Sequence, residues 1–182
     1  MIFEKTSLEW VYEVKFSVFN DDRWAFIKTF HYDGFTQIWL NEDFKESFYS
    51  ISKKWVIRWM HFQLPPYDHH KFVYPVSWEV RDVIVDIRKN SPTYGKHVEL
   101  ILSEENHNWV FIPKGFAHGF LTLSDSATLV YMDTTVHNKE SDYWINYMSF
   151  WYGWWIENPI VSEKDKNLIK LSDFDSPFIY NN

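Results

Sequence analysis

The amino-acid sequence predicts an all-β protein, a sandwich or a barrel. Three observations carry that expectation. Short segments rich in Val, Ile, Phe, Tyr and Trp recur at intervals of roughly 10 residues. Asn, Asp, Ser and Pro stand between them as turn residues. Hardly any stretch has the apolar period of a long amphipathic helix. With 182 residues, 46% of them apolar and 21% aromatic, the chain is read as one domain over 1–182 with a sizeable core. The aromatic share exceeds what a minimal core needs, so large side chains are also expected to line a pocket or an interface.

The elements follow in order. Leu8 to Phe19 reads as a strand, Asn20 to Arg23 as a turn, and Trp24 to Phe30 as a second strand. Asn41 to Ser50 is the best short helix candidate, with Asn41 as cap and acids in its first turn. Trp55 to Phe62 and Lys71 to Val76 are strands on either side of a loop broken by Pro65 and Pro66. Trp78 to Arg88 alternates, with Val83, Val85 and Ile87 on one face and Asp82, Ile84 and Asp86 on the other. The two aspartates read there as water-facing. Lys89 to Tyr94 is a turn, Lys96 to Leu102 a strand, and Ser103 to Asn106 an acidic turn. Trp109 to Ile112, His118 to Leu123 and Ala127 to Thr134 complete the strands. Near the end, Ser162 and Asp165 have the spacing of a helix cap, Asp standing in for the usual Glu.

Composition excludes several function classes. The chain has no cysteine, which removes disulfides, thiolate catalysis and cysteine-based zinc sites and fits a reducing compartment. The first residues lack the basic-then-apolar pattern of a secretory signal, and no apolar run is long enough for a membrane helix. A cytoplasmic location without membrane association is the expectation. The net charge of −7 disfavours nucleic acid as a partner. An anionic ligand would need a local cluster of cations.

Such a cluster surrounds His61. The residue lies in an apolar strand with Arg58 before it and Lys71 at the start of the next. A core histidine held by one hydrogen bond and two separate surface ion pairs are the plain alternatives. Together, however, the three could hold an anion and polarise a carbonyl. His118 follows a Pro113–Gly115 turn, a position at a barrel rim. A metal site is disfavoured, because neighbouring His69 and His70 point to opposite faces of a strand and no two histidines stand one residue apart. Tyr131 reads equally as a core tyrosine, and Asp165 as nothing more than a helix cap.

Five motifs occur in one order: R-W-M-H-F-Q-L-P-P-Y at 58–67, V-D-I-R-K-N-S-P-T-Y-G-K at 85–96, L-S-E-E-N at 102–106, F-I-P-K-G-F-A-H-G-F at 111–120 and V-S-E-K-D at 161–165. In these the chain resembles the dTDP-4-dehydrorhamnose 3,5-epimerase family. The resemblance implies a cupin-type jelly-roll barrel with a few short helices, usually a homodimer, acting on a nucleotide-diphosphate sugar without metal or redox cofactor. It implies His61 as proton acceptor, Tyr131 as proton donor, Lys71 as the group on the enolate oxygen and Asp165 as the acid orienting the imidazole. Arg23, Arg58, His118 and Lys164 match ligand-binding positions, and Asp142 stands where the family has glutamate. The expected reaction inverts C3, C5 or both of a 4-keto-6-deoxy sugar, in deoxysugar or cell-surface polysaccharide biosynthesis. A ketoisomerase on a similar substrate and a non-catalytic sugar-nucleotide binder are the competing readings.

The chain also departs from the family. Tryptophan replaces glycine at Trp24, Trp59 and Trp78, and Lys28 replaces a glutamate near the ligand. Val136 and His137 stand where an aromatic pair is associated with the nucleotide. Trp59 is therefore expected to shape the sugar pocket, while the base, the sugar and the number of centres inverted stay open.

Overall fold

The computed structural model describes residues 1–35, 38 and 43–181. Thirteen strands are named in it: β1 Ile2–Lys5, β2 Tyr12–Lys15, β3 Val18–Asp21, β4 Trp24–Ile27, β5 Glu46–Lys53, β6 Ile57–Gln63, β7 Lys71–Ser77, β8 Glu79–Asp86, β9 His97–Ser103, β10 Asn108–Ile112, β11 Phe116–Thr122, β12 Ser126–Asp133 and β13 Asp142–Trp144. Two one-turn helices join them, α1 Tyr32–Phe35 and α2 Glu163–Lys166. One sheet has the order β1-β2-β10-β7-β12-β5 and the other β13-β6-β11-β8-β9. Every ladder within them is antiparallel. Chain neighbours β7 and β8 lie in different sheets, so the chain repeatedly crosses between layers, as a jelly roll does. β3 and β4 form a separate hairpin.

The apolar residues fall into three clusters. Val73, Leu129 and Tyr131 of one sheet meet Val80, Ile84 and Phe120 of the other between the layers. On the far side of the five-stranded sheet, Met60, Phe62, Val83, Val85 and Ile87 are covered by Phe150, Trp154, Phe174 and Phe178 of the C-terminal segment. Phe72, Trp109 and Phe111 pack with Phe35 outside the six-stranded sheet. Covering the outer faces accounts for much of the aromatic content.

One expectation is overturned. Asp82 and Asp86 are fully buried instead of facing water, because they share the inner face of β8 with Ile84, between the two sheets. Each acquires partners: Asp86 accepts from Arg88, Ser91 and Thr93, and Asp82 binds His118. The expected helix at 41–50 is also corrected. Glu46–Lys53 is strand β5, laid along β12 from Glu46 opposite Asp133 to Lys53 opposite Ser126, and the cap Asn41 lies outside the described residues. Leu8–Phe19 is two strands, not one, broken between Lys15 and Val18. The Ser162 cap forms as expected, its side chain accepting from the Asp165 N–H at 3.1 Å.

Candidate active site

Register brings the candidate residues to the space between the sheets. β6 runs beside β11 with His61 opposite His118. β8 flanks β11 with Ile84 opposite His118, so Asp82, two residues away, shares that inner face. β13 flanks β6 with Trp144 opposite His61 and Asp142 opposite Gln63. Asp142 is thus the diagonal neighbour of His61 on the same face. From the other sheet, Lys71 stands opposite Asp133 and Tyr131 opposite Val73, again facing inward.

Lys71 Nζ donates to His61 Nδ1 at 3.1 Å, and Nε2 of the same ring lies 2.6 Å from Asp142 Oδ1. An ammonium has no acceptor, so Nδ1 carries the lone pair and Nε2–H donates to the carboxylate. Burial, and after it the charge of Lys71, lower the His61 pKa to about 4 against the opposing effect of Asp142. The imidazole is therefore neutral near pH 7 and available as a base. Burial works against the charge on Asp142, but its bonds to His61 and His137 hold the carboxyl below its usual range.

Lys71 also ties this pair to Tyr131. Its Nζ lies 5.8 Å from the centroid of that ring. Tyr131 is fully buried, stacks on Phe48 at 4.7 Å and shares a 3.1 Å hydrogen bond with Ser50. Burial raises its pKa, so the phenol keeps its proton. His118 is buried beside them, its Nε2 at 2.7 Å from Asp82 Oδ2. A cleft is lined by His61, Gln63, His69, Lys71, Lys114 and His118; Tyr131 lies outside that lining.

Other expected site residues lie at varied distances from this centre. Arg58 Nε donates to Ser52 at 2.7 Å, on the strand two positions into β6. Lys164 Nζ sits 3.1 Å from the Trp144 ring, which is itself 5.6 Å from the His61 ring. Arg23 is exposed at the tip of the β3–β4 hairpin and pairs with Asp21 in the same turn. Lys28 lines a separate cavity with Met1, Phe16 and His31. The side chain of Trp59 lies outside the described residues. The structure brings Asp142, not Asp165, to the imidazole. Asp165 is buried in α2, whereas β13 pairs directly with β6. Sequence reasoning missed Ser50, the Asp82 partnership and the contact of His137 with Asp142; the Asp82 alternation with Ile84 held a signal, and His137 was singled out only as a departure near the nucleotide. Among the described residues no group of three or more His, Asp or Glu converges to hold a metal, and no helix is long and apolar enough to cross a membrane.

A buried neutral imidazole against an ammonium, with a protonated phenol beside the ammonium inside a jelly roll, defines a proton-transferring isomerase of the cupin class. The sequence model of dTDP-4-dehydrorhamnose 3,5-epimerase matches residues 5–173. The chain is 42% identical to the Shigella flexneri dTDP-4-dehydrorhamnose 3,5-epimerase over 161 residues, covering 87% of this chain and 89% of that one. It is 38% identical to the Methanothermobacter thermautotrophicus enzyme of the same name, covering 91% of each. The crystal structure of the Legionella pneumophila 3,5-epimerase in complex with dTDP-4-keto-L-rhamnose superposes with a TM-score of 0.91 at 31% identity, over 100% of this chain and 99% of that one. The chain belongs to the dTDP-4-dehydrorhamnose 3,5-epimerase family, and is an epimerase of deoxysugar biosynthesis.

Proposed function

We propose that the protein inverts C5, C3 or both of a dTDP-linked 4-keto-6-deoxy sugar, with His61 as base, Lys71 as electrophile and Tyr131 as acid. The observation that carries this reading is the Lys71–His61 contact. Without substrate, the ammonium occupies the lone pair of Nδ1. A ketone oxygen entering beside Lys71 draws the ammonium to itself and frees Nδ1. The imidazole then takes the proton from the carbon next to the carbonyl, and the electron pair moves onto the oxygen as an enolate held by Lys71. Asp142 keeps the remaining proton on Nε2 and stabilises the imidazolium. Tyr131 delivers its proton to the opposite face of the carbon, the enolate collapses to the ketone, the phenolate is reprotonated from solvent, and the His61 imidazolium gives its proton back to solvent. Arg58, Lys164 and His118 are assigned to ligand binding, Arg58 and Lys164 to the phosphates.

The same reading makes the protein a cytoplasmic homodimer. Its support is the β3–β4 hairpin, which exposes Phe19 and Phe26 with Arg23 beside them. Such a patch suits burial against a second copy. Light scattering after size exclusion checks it, a monomer mass being the contrary result. For the reaction, the dTDP, UDP and GDP forms of 4-keto-6-deoxyglucose are incubated with enzyme and the products resolved by NMR. Inverted centres with the dTDP sugar are expected. A moved carbonyl, or no change with any of the three, would refute the assignment.

A further inference from the structure

We infer that His137 is a positioning residue for the base, gripping the outer oxygen of Asp142 while the inner oxygen holds His61. Its Nε2 lies 3.2 Å from Asp142 Oδ2, and Asp142 Oδ1 lies 2.6 Å from His61 Nε2. A single carboxylate thus joins an exposed imidazole to a buried one. The side chain of His137 is 56% exposed and that of His61 13%, so the first meets solvent and the second scarcely does. The loop is pinned on both sides: the His137 N–H donates to the Glu46 carboxylate of β5, and the Asn138 N–H donates to Gln63 Oε1 at 2.7 Å. The charged and titratable groups around His137 are Glu46 from β5, Asp142 from β13, and Lys139 and Glu140 in its own loop; His61 and Lys71 stand behind Asp142.

A donor on Oδ2 draws charge away from Oδ1 and weakens its hold on the Nε2 proton. Protonated His137 does so more strongly. Losing His137 therefore makes His61 bind its proton more tightly. This rests on the role proposed for His61, but its test does not require turnover. The test compares His137→Phe and His137→Gln with the unaltered enzyme, by NMR titration of the His61 ring without substrate and by kcat/KM against pH. The phenylalanine variant is expected to move the His61 titration and the acid limb upward together, lowering kcat/KM about 3–10-fold on the acid side. Glutamine keeps a donor and restores most of the shift. An unmoved titration overturns the inference: with KM raised, His137 is only a ligand contact, and with kcat reduced equally at every pH it is only structural. A moved titration in a protein that epimerises nothing would uphold His137 and reject the proposed function.

A second, independent observation concerns tryptophan. Among the described residues seven non-glycine positions have positive φ, and five are tryptophans: Trp10 at 73°, Trp24 at 126°, Trp55 at 66°, Trp78 at 67° and Trp155 at 55°. This backbone region suits glycine and strains a bulky side chain. Trp55 is the third residue of a turn closed by the Val56 N–H to Lys53 carbonyl bond at 3.2 Å, the place where a type II turn calls for glycine. Trp78 is the lone residue between β7 and β8, and Trp24 follows the two-residue turn of the β3–β4 hairpin. All five are between 39% and 86% exposed, whereas Trp109 and Trp154 are buried at 2% and 4% within aromatic clusters. The whole chain has 11 tryptophans and only 5 glycines. At ordinary usage a chain of this length carries about 13 glycines.

One cause covers all of this. The codon UGA is read as tryptophan in some bacterial lineages and as glycine in others. The geometry points to glycine as the residue the producing cell inserts at 10, 24, 55, 78 and 155. Positions 24 and 78 are also two at which the resemblance expects glycine. Peptide mapping by mass spectrometry of the protein from its native cells is expected to find glycine at these five positions, and tryptophan there would overturn the inference. In recombinant protein, Trp55→Gly and Trp78→Gly are each expected to raise the unfolding midpoint by about 2–4 °C. Trp109→Gly, at a packed position, lowers it. Unchanged or lower midpoints at 55 and 78 would contradict the inference.

Discussion

Lys71→Met removes the ammonium from Nδ1 of His61 and keeps a stem of similar length. Burial is the first cause of the low His61 pKa of about 4, and the Lys71 charge, 3.1 Å from the ring, is the second. At an effective dielectric near 20, two unit charges that close repel by roughly 5 kcal/mol. Screening and the counter-charge of Asp142 reduce this, leaving a rise of about 1–2 pH units as the share Lys71 controls. The His61 ring signals, assigned against a His61→Gln spectrum, are followed by NMR through a pH titration. Stability supplies a second reading with a fixed sign. The folded pKa of about 4 lies below the ordinary 6.5, so the unfolded chain takes the proton first. Stability is full above about pH 6.5 and falls by up to ~3 kcal/mol as the pH drops to 4. In Lys71→Met that fall is smaller. If His61 still titrates near 4 in the variant, the ammonium does not control the base and the proposed pairing fails.

Three further outcomes follow from the geometry. Tyr131→Phe removes the proton donor and the Ser50 bond but leaves base and ammonium in place; inversion should fall about 10²–10⁴-fold while exchange of the carbon-bound proton persists, read by NMR in heavy water. Asp82→Asn leaves buried His118 without its carboxylate, and denaturant unfolding should show a loss of about 3 kcal/mol. Phe72→Ala opens a cavity among Phe16, Phe35 and Trp109, and should cost about 3–5 kcal/mol in the same assay.

The strands were legible where an apolar run or an alternating pattern is bounded by turn residues, as at β10 and β12 respectively. β5 was not, because the acids and cap-like Asn before it mimic a helix start, while its pairing with β12 is set by residues about 80 positions away. β8 misled in a different way. Its alternation is real, but the face carrying Asp82, Ile84 and Asp86 turns inward between the two sheets, while Val83, Val85 and Ile87 meet the C-terminal layer. For the site, the apolar setting of His61 and the cation at Lys71 could be read from the chain. Their meeting needed the arrangement of the two sheets. The choice of Asp142 over Asp165 as the carboxylate on the imidazole follows from the β13–β6 register, which no local pattern encodes.

The central claim is that His61 removes a carbon-bound proton beside a ketone. It is tested most directly by incubating dTDP-4-keto-6-deoxyglucose in heavy water with the enzyme and with His61→Gln, and measuring deuterium at C3 and C5 by mass spectrometry and NMR. Deuterium entering one or both positions with the unaltered enzyme, at a rate reduced at least ~10²-fold in the variant, is the expected result. Equal incorporation by both proteins would contradict it.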